Sequence, residues 1–211
     1  VSTSDPPENW WDKLEDDMTL KTFITATLTA TTLSACALAS AAFAESHAGT
    51  DNPMVGGAAM FAEMNIVENA MNSADHTTLV AAVKAAGLVD TLMSDGPFTV
   101  FAPTNAAFDM ISDESLNALL QPEAKAQLTQ ILTCHVVAAN AMSDAIAGMI
   151  ADDGGMHPVE TVGGCTLQAK LDGSKITLTD ENGRDATVTI ADVRQSNGVI
   201  HVIDRVLLPA Q

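Results

Sequence analysis

Four glycine dipeptides punctuate the last third of the chain: Gly163-Gly164, Asp172-Gly173, Asn182-Gly183 and Asn197-Gly198. Each can supply the positive φ of a tight hairpin turn. In series they leave the segments between them little choice but to run as adjacent antiparallel strands. Those segments are CTLQAKL, KITLTD, DATVTIADV and VIHVIDRVLL, rich in β-favouring residues. From Pro158 onward the chain reads as an antiparallel meander.

Upstream, the hydrophobic period lengthens. NIVENAMNSAD (65–75) places Ile66, Asn69, Ala70 and Ser73 at helical spacing. In HTTLVAAVKAAGLVDTLMS (76–94), Leu79, Val83, Ala86 and Val89 recur at three and four. Asp75 or Thr77 is the expected cap of this helix, and Gly87 its break. Asp95-Gly96-Pro97 turns the chain into a strand from Phe98 to Phe101, which Pro103 stops. Thr104 is the cap of a short helix carrying Phe108, and Ser112 starts another. Pro122 suits the first turn of a helix whose buried stripe is Leu128, Ile131 and Leu132. His135 to Val137 read as strand. Met64, Met71, Met93 and Met110 are assigned to the helix core. Helices followed by a meander predict an α+β domain.

The first 44 residues belong elsewhere. Residues 1–17 are polar and acidic and read as an over-extended gene start before an initiator at Met18. Residues 18–44 carry one cation, Lys21, then an apolar stretch closing on Ala42-Phe43-Ala44, the pattern of an export signal cleaved after Ala44. LSAC (33–36) offers a competing reading, in which Cys36 carries a lipid anchor. Residues 45–60 hold Gly and Pro without a period and are expected as a flexible lead-in, with residues 61–211 as a single domain. Cleavage leaves 167 residues with seven cations against twenty-one carboxylates, a net charge of −14, and neither Trp nor Tyr. The expected location is secreted, periplasmic or cell-surface, with no transmembrane helix in the mature form. Cys134 and Cys165 remain as an even pair, which in an exported chain suggests a disulfide; two buried free thiols are the alternative.

The acidic balance argues against nucleic acid, whose phosphates need Lys and Arg. The chain contains no GxSxG, Walker loop, GxGxxG or HExxH pattern. No catalytic residue, cofactor or metal is expected. DENGRD (180–185) has the acidic spacing of a calcium loop, but Arg184 stands where an oxygen ligand is needed and Asp185 replaces the turn glycine, so a hairpin is expected. Asp152, Asp153 and His157 could hold a cation loosely, yet Gly154-Gly155 between them reads as a polar loop. Cys134 and His135 would point to opposite faces of a strand and form no dyad. The same alternation separates His201 from Asp204. Apolar residues on both faces of that strand predict a central position, covered on both sides. His201 is then a satisfied core residue, and Asp204 must accept from backbone amides, expected from a nearby loop.

Two segments together, GPFTVFAPTNAAF (96–108) and IADVRQSNGVIHVIDRVLLP (190–209), resemble the two signature blocks of the fasciclin I domain, and ILTCHVV (131–137) fits the family's segment between them. The resemblance spans about residues 60–209. It implies a β-sandwich or wedge of two sheets with several helices packed against it, and an extracellular or periplasmic role in adhesion to cells or matrix. It also implies that Thr99, Phe101, Pro103, Thr104, Asn105 and Phe108 set a strand-to-helix corner. Asn197, Gly198, His201 and Asp204 belong to the second block. Animal members carry an Asp-Ile adhesion pair before the Asn-Gly turn, matched here by Asp192-Val193, and a Tyr-His motif matched only at His135. Asp192, Val193 and His135 are therefore the candidate partner-binding residues. The expected function is an interaction module that contacts a protein, cell surface or matrix, without catalysis. The alternative is a periplasmic binder of a small apolar ligand or a cation.

Overall fold

A computed structural model of the chain describes residues 52–210. The gene-start, export-signal and Cys36 readings lie outside the described residues. Residues 52–60 do not form a flexible lead-in. They fold as a hairpin of β1 (Met54–Val55) and β2 (Ala58–Ala59), turning at Gly56-Gly57, and Val55 and Met60 enter the core. The fold thus begins before residue 61. Glycine content suggested mobility here, whereas the two glycines serve as the turn.

The helices follow the sequence pattern closely. Asn65 caps α1 (Ile66–Asn72) in a reciprocal capping box with Glu68. Gly87, left-handed, divides α2 (Thr77–Ala86) from α3 (Val89–Leu92). Neither Asp75 nor Thr77 caps α2: its Thr78 amide donates to the side chain of Asn105, 27 positions away. After β3 (Phe98–Pro103), Thr104 caps α4 (Asn105–Phe108) and Ser112 caps α5 (Asp113–Leu119). Pro122 opens a 3-10 turn leading into α6 (Lys125–Thr133), which buries Leu128, Ile131 and Leu132. Only Val136–Val137 of the next segment form strand, as β4. Helix α7 (Ser143–Asp152) buries Ile146 and Ile150, one turn apart. Met71, Met93 and Met110 lie at the surface rather than in the helix core, at 53, 44 and 62% exposure. The core stripe is filled by β-branched residues and leucines, which leaves these methionines on its edge.

Strands β5 (Met156–Glu160), β6 (Thr166–Asp172), β7 (Lys175–Thr179), β8 (Asp185–Gln195) and β9 (Gly198–Ile203) form the antiparallel meander. The full seven-stranded order is β4-β3-β9-β8-β7-β6-β5. Strand β8 changes partner along its length: Asp185–Thr187 pair with β7 and Val188–Gln195 pair with β9, with register shifts on either side of Ile190. These irregularities bend the array into a wedge. Strand β9 is central, and it pairs in parallel with β3, from Phe98↔Gly198 to Pro103↔Ile203. That parallel pairing departs from a purely antiparallel reading, and it requires the long crossover that all the intervening residues supply.

Because side chains alternate along β3 and β9, the two strands feed two cores. Val100, Ala102, Ile200 and Val202 join the helices α1–α6. Phe101 and Ile203 join Leu167, Ala169, Leu178 and Ala186 of the meander, under α7.

Candidate functional site

The two signature blocks, some ninety residues apart, lie side by side as β3 and β9. Their polar residues converge on one loop, residues 138–142, between β4 and α7. Thr99 Oγ1 donates to the Ala139 carbonyl (2.6 Å) and accepts from the Ala141 amide (2.9 Å). Two register positions along, His201 stacks on its partner Phe101, with ring centroids 5.7 Å apart. His201 Nε2 donates to the Ala141 carbonyl (2.8 Å), and its Nδ1 accepts from the Asp192 amide (3.3 Å). The carboxylate of Asp192 accepts from the Ser143 amide (2.7 Å) and from Ser143 Oγ. A carboxylate there also favours the N-terminal end of α7. Asp192 adopts φ 60° at the irregular part of β8, the left-handed conformation that aims its side chain at Ser143.

This loop is exposed at Ala138, Ala139 and Asn140. Below it lies a recess of about 270 Å³ lined by Asn140, Met142, Arg194, Gln195 and Gly198. Burial lowers the pKa of His201, opposed by its bond to Ala141 and by the charge of Asp192. The ring is held neutral with both nitrogens in use.

The other candidates work inside the fold. Val193 is fully buried in the helical core. His135, 2% exposed, donates from Nδ1 to the Ile131 carbonyl (2.8 Å) and accepts at Nε2 from the Leu207 amide (2.9 Å), so it ties α6 to the tail. Burial lowers its pKa to about 4, against the opposing pull of Ile131 and Asp180. His135 follows the end of α6 rather than sitting in a strand, and Cys134 is bonded to Cys165 with Cα atoms 5.4 Å apart. The two residues do not meet because each has another partner.

The sequence pattern puts a positive-φ turn at Asn197-Gly198, but the loop consists of Ser196-Asn197, and Asp192 is the non-glycine with positive φ among the described residues. Asn197 instead cross-links. Its side chain accepts from the Ile66 amide (3.1 Å) and donates to the carbonyls of Leu92 (2.8 Å) and Ser94 (2.9 Å). Gly198 is needed for close approach, since a Cβ there would lie 2.0 Å from the Phe98 carbonyl oxygen. Asn105 caps α2 and donates to the Ala74 carbonyl (2.8 Å). Phe108 packs in the helical core and Phe101 in the other. Pro103 ends β3 opposite Ile203, and the Thr104 amide donates to Ile203 (3.2 Å). Asp204 lies just past β9, in a bend, so strand alternation does not govern it. Its carboxylate accepts from the Thr187 amide of β8 (2.7 Å), a strand donor rather than a loop one.

In the DENGRD turn, Asp180 accepts from the amides of Asn182, Arg184 and Leu208 and pairs with the Arg184 guanidinium (2.7 Å). Burial alone would raise the Asp180 pKa, but those donors hold it below its ordinary value. His157 bonds Asp153 (2.6 Å), and no group of three or more His, Cys, Asp and Glu positioned to hold a metal occurs among the described residues.

Comparison with known proteins agrees with this architecture. The Fasciclin domain family model matches residues 74–209. Protein sll1483 of Synechocystis sp. is 41% identical over 181 residues, covering 86% of this chain and 93% of its own. Immunogenic protein MPB70 of Mycobacterium bovis is 32% identical over 207 residues, covering 87% of this chain and 96% of its own. A solved FAS1 domain pair from the insect cell adhesion molecule fasciclin I superposes with a TM-score of 0.61 at 17% identity, covering 69% of this chain and 51% of that one. The chain belongs to the fasciclin domain family. Among the described residues, no helix is long and apolar enough to cross a membrane.

Proposed function

We propose that this chain is an exported adhesion or interaction module, acting at the cell surface, in the periplasm or outside the cell, and that its contact face is the loop 138–142. One observation carries the reading: Thr99 and His201, from the two paired signature blocks, bond the backbone of this loop, and Asp192 holds Ser143, where the loop enters α7. Loops held rigid by a scaffold are where binding residues concentrate. Asp192 enters this reading as the residue that holds the end of the loop at Ser143, with its half-exposed carboxylate at the margin of the face, whereas Val193 and His135 serve inside the fold. The partner is a protein, cell-surface or matrix component. The module uses no catalysis and no cofactor.

Beads coated with the domain test it, on the producer's own cells and on host or surface material. Asn140→Arg and Ala139→Glu alter exposed side chains and should leave the melting temperature unchanged while lowering attachment about tenfold, the effect of losing a central contact. Asp192→Ala should lower attachment less, through a loosened loop. Attachment that ignores both loop variants places the contact face elsewhere, and no attachment to any surface removes the adhesion reading.

A further inference from the structure

The left-handed break at Gly87 turns α3 away from α2 and opens a corner between α1, α2 and α3. A cavity enters there. Its mouth is framed by Ala70, Val80, Lys84 and Leu88, and its end wall is Val100, Phe101 and Leu132. Lys84 and His135 are the only ionisable residues of its lining, and His135 has both ring nitrogens engaged elsewhere, so it presents no free polar atom. The interior therefore offers a ligand nothing but apolar contact. Water gains little from such a space, and an alkyl chain gains its full transfer free energy.

The mouth has a different character. Residues 52–165 hold thirteen carboxylates and two cations, Lys84 and Lys125. Both cations stand at this one corner. Lys84 lines the cavity, and Lys125 Nζ lies 3.1 Å from the position a Cβ on Gly87 would take. Neither forms any of the salt bridges among the described residues. Lys125 lies close to the C-terminal turn of α2, which a cation favours. Lys84, in the last turn of α2 itself, has the same support, and neither ammonium has a carboxylate partner in those salt bridges.

We infer that this cavity binds a short-chain monocarboxylate, with the alkyl tail inside and the carboxylate held between Lys84 and Lys125. Size sets the chain length. The space open to the centre of a water-sized sphere is about 40 Å³, room for about three such spheres in file and so for a ligand of about four to six carbons. The closed end wall excludes longer chains. This site is separate from the 138–142 loop, and it gives a place and a ligand class to binding of a small apolar molecule. Its success or failure leaves the adhesion reading untouched.

The test is methyl-detected NMR of the full chain, titrated with butyrate, hexanoate, decanoate, hexanol and hexylammonium. Hexanoate should shift the methyls of Val80, Val83 and Leu88 saturably, in the millimolar range expected for so small a ligand. Decanoate and hexylammonium should bind at least about tenfold more weakly. A Lys84→Gln, Lys125→Gln double variant changes two exposed side chains. It should weaken hexanoate about fivefold while leaving hexanol unchanged. Ala70→Met, which fills the mouth, should abolish the shifts; if that variant fails to fold, the lysine variant decides alone. Equal binding of hexanoate and hexylammonium, tighter binding of decanoate, or shifts that do not saturate by about 50 mM would each overturn the inference.

Discussion

On the helical side of the sheet, Ile66, Leu79, Val83, Leu128 and Leu132 pack against one face of β3 and β9, and a cavity remains among them. On the other side, Leu167, Leu178 and Ala186 close around Phe101, and the surroundings are pinned by directional bonds. These include the Cys134–Cys165 disulfide, the Asp180–Arg184 pair and the Asp204–Thr187 contact. The first side combines that burial, which has no direction and tolerates repacking, with the cross-links of Asn197 to Ile66, Leu92 and Ser94 and the cap of Asn105 on α2. The second is held by partners that each fit one geometry. The polar residues of the signature blocks fall between them and fix the loop they share.

The sharpest way to break this contrast is Phe101→Ala. Phe101 lies in the core under the meander and stacks on His201, so truncation removes packing and the stacked ring together. Loss of about 3–5 kcal/mol is expected by urea unfolding, whereas Val83→Ala beside the existing cavity should lose less than half of that.

Acid comes next. His135 titrates near 4 when folded and about 6.5 when unfolded. Between those values the unfolded chain binds more protons, so stability is present in full above about pH 6.5 and falls as pH drops toward 4. His135 alone accounts for about 3 kcal/mol of that fall. His76 and His201 are lowered in the same direction, again chiefly by burial. In melts across that range, His135→Gln should show a shallower slope than the unmodified chain. An equal slope would assign the acid sensitivity to the other two histidines.

The smallest effect is at Asp192. Asp192→Ala removes the carboxylate that caps Ser143 and keeps a Cβ at positive φ, for a loss of about 1 kcal/mol. Asp192→Gly should cost less, because glycine accepts that φ. If glycine costs as much as alanine, capping rather than backbone strain sets the value.

Much of this was legible in the sequence because it rests on local rules. Thr104, Ser112 and Gly87 announce helix ends, and the helical stripe at Leu128, Ile131 and Leu132 announces a buried face. Helix α7 had a readable signal in Ile146 and Ile150, one turn apart, but no strong cap before it. The rest depends on partners distant in sequence. Nothing near Asn105 says that it caps α2, and nothing near Asn197 says that it reaches Ile66, Leu92 and Ser94. Hairpin chemistry explained Asn197 adequately, and tertiary contact overruled it. The bonds that fix loop 138–142 were invisible for the same reason: Ala139 and Ala141 carry no side-chain signal, and only their backbone groups are used.

The central place of β9 bears on how the molecule is made. A ribosome delivers β3 long before its neighbour, and residues 98–103 must wait for residues 198–203 before the middle of the sheet can form. Until then the nascent chain holds helices and hairpins but cannot lock. Pairing across so long a separation is slow. A product terminated before Gly198 would lack β9 and with it the partner that β3 pairs along its whole length.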